Sequence, residues 1–182
     1  GSFDCEYGFS CMGYELAGAW GAKMAMPDRD VVTFVGDGSY LMLNSELFSA
    51  SFSGHPFVAI LCDNDGFAVI ERLQTNQGGE PFNNRFPTSR GAHADRRVDF
   101  VAHARSLGAH AEEVTSIDAL ADAYRRVRDL DRPAVLYLRT SPSHWTEGGA
   151  WWEVGVPEVN ERPEVRLARE ALTAGKSNQR TW

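Results

Sequence analysis

Two short apolar runs, VVTFV (31–35) and PFVAILC (56–62), each break off at an acidic, glycine-bearing stop: Gly36-Asp37-Gly38 after the first, Asp63-Asn64-Asp65-Gly66 after the second. Runs of β-branched and aromatic residues of this length, closed by glycine, read as short buried strands. Between them lies one helix-length of sequence, LNSELFSASFSG (43–54), ended by Gly54. A hairpin joins antiparallel strands with a few residues, whereas parallel neighbours need a crossover of helix length. The two strands are therefore expected to be parallel, with both acidic turns at the same edge of the sheet. In open α/β sheets that edge, beyond the carboxyl ends of the strands, is where ligands bind.

The alternation continues in both directions. GYELAGAWGAKMAM (13–26) has apolar side chains three to four apart and small residues between them, which predicts a buried helix ending near Pro27. DFVAHARSLG predicts a helix capped by Asp99 and stopped by Gly108; AHAEEV, SIDALADAYRRVRDL and PAVLYLR follow as strand, helix and strand. The order implies a doubly wound α/β fold: a mostly parallel sheet with helices on both faces. Residues 75–97 carry Gly, Pro, Asn and Arg without an apolar period and are expected to form a long mobile loop, the usual form of a lid. After Thr140 the chain turns rich in Trp, Gly and Pro, so residues 1–140 are expected to form the domain and 141–182 an extension with a short terminal helix.

The 182 residues, 43% hydrophobic, suffice for one domain with a core of its own. A formal net charge of -7 argues against a nucleic-acid or acidic-membrane partner. An anionic ligand must then be held locally, by backbone N–H groups or a metal. The longest apolar run, 57–62, falls far short of the roughly 20 residues that span a bilayer, and the N-terminus lacks the pattern of a signal peptide, so a cytoplasmic protein is expected. Cys5, Cys11 and Cys62 fit neither a disulfide framework nor a zinc pattern.

The chemistry concentrates in the two acidic turns. Asp37 sits between glycines, where backbone approaches a ligand closely, and Asn64 follows 27 residues later at the next strand end. A carboxylate, a side-chain amide and a nearby backbone carbonyl make an oxygen-only set that suits Mg²⁺, which completes its octahedron with phosphate and water. Amides at Gly38 and Ser39, near the start of the following helix, are placed to take phosphate oxygens. Each motif alone is an ordinary turn. Their matched placement is what points to a metal-diphosphate site. The five histidines share no metal spacing, though His144 with Trp145, Trp151 and Trp152 is a candidate pocket lining. GKS at 175–177 is rejected as a phosphate loop, because no strand precedes it and the required first glycine is Glu170.

The stretch GDGSYLMLNSELFSASFSGHPFVAILCDNDGF resembles the Gly-Asp-Gly…Asn signature of thiamine-diphosphate enzymes. That resemblance implies Mg²⁺ ligands at Asp37, Asn64 and the Gly66 carbonyl. SCMGYELAGAWGAK is similar to the family's Met-Gly helix start, implying that Met12 wedges the cofactor into its bent shape and that the Ser10 carbonyl faces the pyrimidine amino group. EYGFSCMGYELAG, VDFVAHARSLGA and WWEVGVPEV resemble the branch that opens a cyclic diketone in myo-inositol breakdown, whereas 68–97 departs from its pattern. The implied reaction is hydrolytic C–C cleavage of a trihydroxylated cyclohexane-1,2-dione to a 5-deoxy-glucuronic acid. The implied partners are that small molecule and the pyrimidine-binding domain of a second subunit, which carries the activating glutamate; the implied assembly is a homodimer or homotetramer. The chain is then expected to be a C-terminal fragment, lacking the pyrimidine-binding and middle domains and inactive alone, with Gly1-Ser2 an engineered scar. Competing expectations are an acetolactate-synthase-like lyase or carboligase, a non-catalytic module retaining the fold, and a flavodoxin-like phosphate binder.

Overall fold

The computed structural model describes residues 1–5, 11–91, 93, 95–146 and 154–179. The chain divides into two compact units, one comprising residues 1–64 and 96–140 and the other residues 65–95 and 141–182.

The first unit is a four-stranded, wholly parallel sheet of β1 (Val32–Gly36), β2 (Val58–Asp63), β3 (His110–Glu113) and β4 (Ala134–Arg139), in the order β1-β2-β4-β3. Parallel pairing requires the crossovers that the sequence supplies. Helices α1 (Tyr14–Ala25), α2 (Asp37–Leu43), α3 (Ser45–Phe52) and α5 (Phe100–Ser106) cover one face; α6 (Ile117–Val127) covers the other. Strand alternation divides the core accordingly. Val35, Ala59, Leu61, Ala111 and Val135 pack with Leu16, Tyr40, Leu47 and Phe100, while Val58 and Leu136 pack with Ala123 and Val127.

Side-chain caps start two helices, the one at Asp99 as expected. The Asp99 carboxylate accepts the Ala102 N–H at 2.9 Å and starts α5, and the Ser116 hydroxyl accepts the Ala119 N–H at 3.1 Å and starts α6. Two features differ from expectation. The helix expected over 43–54 is present as α3, but across Asn44 alone it is preceded by a further helix, α2, which begins at Asp37. Gly36 is extended (φ -78°, ψ 157°) and serves as N-cap, and Asp37 enters the first turn, where a carboxylate is favoured by the helix dipole. The Gly-Asp-Gly stop is thus a strand running straight into a helix. β1 also differs from the buried strand expected, since it lies at the sheet edge and leaves Phe34 65% exposed.

The second unit holds α4 (Ala68–Asn76), a 3₁₀ turn at Phe86–Thr88 and α7 (Pro163–Ser177). Val156, Val165 and Leu172 form its buried cluster. Arg162 binds it together, donating from Nε to the Gly78 carbonyl at 3.0 Å and pairing with Glu80 at 2.7 Å. No helix of the described residues is long and apolar enough to cross a membrane.

Candidate cofactor and metal site

β1 and β2 run side by side with Gly36 opposite Cys62, so the next residues, Asp37 and Asp63, emerge together at the carboxyl edge. Asp37 is fully buried in the first turn of α2, followed by the buried Gly38 and Ser39. The Asn64 N–H donates to Asp37 Oδ1 at 3.4 Å, which joins the two acidic stops directly. α2 has no side-chain cap at its start, and the first N–H groups of any helix lack intrahelical acceptors.

Met12 stands just before α1 and is partly buried. Gly13 follows with φ 95°, and a side chain there would press within 2.5 Å of Leu43 Cβ, so the start of α1 lies tight against the end of α2. Gly13 N–H donates to Glu15 Oε2 at 2.9 Å, fixing that first turn. Ser10, Trp151 and Trp152 lie outside the described residues.

Gly66, two residues beyond Asn64, belongs to the second unit. Its φ of 135° is a conformation only glycine adopts readily, and it pairs with Arg85 in an antiparallel bridge. The Phe86 N–H donates to the Asp65 carbonyl at 2.9 Å and the Phe67 N–H to the Asn84 carbonyl at 2.7 Å. Residues 65–67 are therefore laced to 84–86, inside the stretch expected to be a long loop. Arg85 faces Glu71 at 3.7 Å, and its Nε is buried without a hydrogen-bond partner among the described residues. In the same unit the Arg72 guanidinium lies 4.7 Å from the ring centre of Trp145.

The sequence reading missed a cluster at the same sheet edge. Asp63 is only 4% exposed, and its Oδ2 accepts the Tyr137 hydroxyl at 2.7 Å and Arg139 Nη1 at 3.1 Å. Burial, with the hydrogen bond to Asp63 second, pushes the Tyr137 phenol up to about 12. Cys62, beside these residues, is pushed up by burial and then by the nearby Asp37 charge. The available signal was the register, since Asp63 pairs with Arg139 on the neighbouring strand.

The donor chemistry fits a hard cation. Asp37 and Asn64 offer carboxylate and amide oxygens, and among the described residues no group of three or more His, Cys, Asp or Glu converges. A metal held here draws on amide and carbonyl oxygens beside one carboxylate, as magnesium tolerates when phosphate and water complete its shell.

Comparison with known proteins gives these features a family. Residues 1–138 match the model of the thiamine pyrophosphate enzyme, C-terminal TPP binding domain. The chain is 35% identical over 187 aligned residues to 3D-(3,5/4)-trihydroxycyclohexane-1,2-dione hydrolase 2 of Bacillus cereus, covering 100% of this chain and 29% of that protein. It is 37% identical over 171 residues to the Bacillus subtilis hydrolase of the same name, covering 93% of this chain and 26% of that protein. It spans less than a third of the length of either relative. Among solved structures, the thiamine diphosphate-dependent 4-hydroxybenzoylformate decarboxylase of Rhodococcus jostii superposes with a TM-score of 0.61 at 26% identity, over 71% of this chain and 23% of that one. With the sheet order, the two acidic stops and the family match in agreement, the chain belongs to the thiamine pyrophosphate enzymes and carries their C-terminal cofactor-binding domain.

Proposed function

We propose that this chain supplies the diphosphate and magnesium site of a hydrolase that opens a trihydroxylated cyclohexane-1,2-dione, cleaving the bond between its two carbonyl carbons to give a 5-deoxy-glucuronic acid. The observation that carries the reading is the buried Asp37 carboxylate receiving the Asn64 N–H, because it brings the two halves of the sequence signature onto one point of the sheet edge. Similarity to hydrolases of that name over 93% or more of this chain supports the choice of substrate.

In this reading Asp37, the Asn64 side chain and the Gly66 carbonyl hold Mg²⁺, and the first-turn amides of Gly38 and Ser39 receive the diphosphate. Met12 and the Ser10 carbonyl orient the two rings of the cofactor. Thiamine diphosphate, when bound, supplies the nucleophilic carbon and the electron sink that C–C cleavage requires. This chain's part would be positioning and charge: Asp37 would offset part of the cation's charge, the α2 amides would take oxygens of the diphosphate, and the apolar interior behind them would exclude water. The activating glutamate belongs to a pyrimidine-binding domain of a second subunit, in a homodimer or homotetramer acting in the cytoplasm.

The test is calorimetric titration of the chain and of the full-length protein with thiamine diphosphate, with and without Mg²⁺, beside Asp37→Ala. Metal-dependent binding that disappears in the variant is expected. Full-length protein that binds identically without metal, or with Asp37 removed, refutes the site. Turnover by that protein of pyruvate or an aryl 2-oxo acid, with none of the cyclic diketone, refutes the substrate and leaves the site standing.

A further inference from the structure

Asp63 is an unusual residue with which to end a central strand, since an apolar or β-branched residue would close β2 without burying a charge. Here it is clamped from one side by the end of β4. Tyr137 and Arg139 both donate to Oδ2, at 2.7 and 3.1 Å. The Thr140 N–H and hydroxyl donate to the Asp63 carbonyl at 2.8 and 3.2 Å. Backbone and side chain of the residue before Asn64 are thereby fixed, and the Asn64 N–H is fixed in turn on Asp37.

We propose that Tyr137 and Arg139 are positioning residues that set metal specificity: by holding Asp63 on β4 they keep its carboxylate out of the cation's shell and fix the turn that presents Asn64. The inference rests on the metal role proposed for Asp37 and Asn64. Two carboxylates, Asp37 and Asp63, emerge at neighbouring register positions, one beside β1 and one bound toward β4. With Asp63 engaged, a cation meets one carboxylate and a rigid amide. That arrangement suits Mg²⁺, which demands a near-ideal octahedron and binds through one or two carboxylates plus phosphate. With Asp63 released, a second carboxylate enters a looser site, which suits Ca²⁺, an ion that takes more oxygens in flexible geometry.

The experiment uses the full-length protein with saturating thiamine diphosphate, and measures Mg²⁺ and Ca²⁺ affinities separately by calorimetry for wild type, Tyr137→Phe, Arg139→Gln and Arg139→Lys. Arg139 is half exposed, at 51%, so its replacement leaves the core intact even where Tyr137→Phe loosens the fold. The expected result is a fall of about tenfold in the ratio of Mg²⁺ to Ca²⁺ affinity in Tyr137→Phe and Arg139→Gln, the low end of what loss of a contact behind a metal ligand produces. Arg139→Lys, which keeps a cation on Asp63, should restore most of the ratio. Equal weakening for both ions marks a merely structural role and overturns the proposal, as does an unchanged ratio. Asp37→Ala separates the two ideas: if it leaves cation binding intact, the metal site itself is misplaced and both readings fall.

Discussion

Gly66 shows how narrowly one residue is specified. A Cβ there would come 2.5 Å from the Asn84 carbonyl oxygen, and the φ of 135° is strained for any side chain. Gly66→Ala should therefore lower stability by on the order of 3 kcal/mol, read as a drop in the thermal midpoint. Tyr40 makes a prediction of opposite character, concerning pH. Its ring is fully buried against Phe100, its hydroxyl meets His103 Nδ1 at 3.0 Å, and burial lifts the phenol from 10 to about 12. Because the folded value lies above the unfolded one, the neutral phenol favours the fold fully below pH 10. That contribution, on the order of 3 kcal/mol, is lost as pH rises through 12. Urea midpoints measured from pH 9 to 12 should fall less steeply in Tyr40→Phe than in the wild type.

At the scale of elements, the caps give the sharpest expectation. Asp99→Ala and Ser116→Ala each remove a side-chain acceptor from a helix start and should each cost about 1 kcal/mol in denaturant unfolding. α5 was legible in the sequence because cap, apolar period and glycine stop agree, and α6 was legible from its apolar period, although its Ser116 cap was not read. All four strands were expected as well: β1 and β2 from β-branched and apolar runs closed by glycine or acid, β3 and β4 from their place in the alternation of strands and helices. The start of α2 was not legible: two glycines around Asp37 signal a turn by propensity, and only the extended Gly36 and the packing of Tyr40 and Leu47 override it. α4 was missed because it directly follows the strained turn at Asp65 and Gly66, where local signals point to loop. The site was half legible. Asp37 and Asn64 were placed by sequence spacing, and their contact follows from the parallel register. The clamp on Asp63 was hidden, because Tyr137 and Arg139 lie more than seventy residues away and a strand-end arginine looks like any exposed charge.

For the whole molecule, the two units differ in what holds each together. The sheet unit buries Ala59, Leu61, Val135 and Leu136 completely, each at 0% exposure, within two clusters, one on each face of the sheet. The second unit's buried cluster among the described residues is Val156, Val165 and Leu172. Local opening is governed by such buried contacts, so amides of α7 should exchange with deuterium well before those of β2 and β4. Equal protection of both sets in exchange mass spectrometry would contradict this. The path of the chain has a genetic consequence. It leaves the sheet unit after Asn64 and returns at Arg96, with β2 complete before the departure and α5 still to come. At the level of the gene, the segment between those two points holds no strand of the sheet, so exchanging the part beyond Gly66 would leave the strand order and the Asp37–Asn64 contact in place.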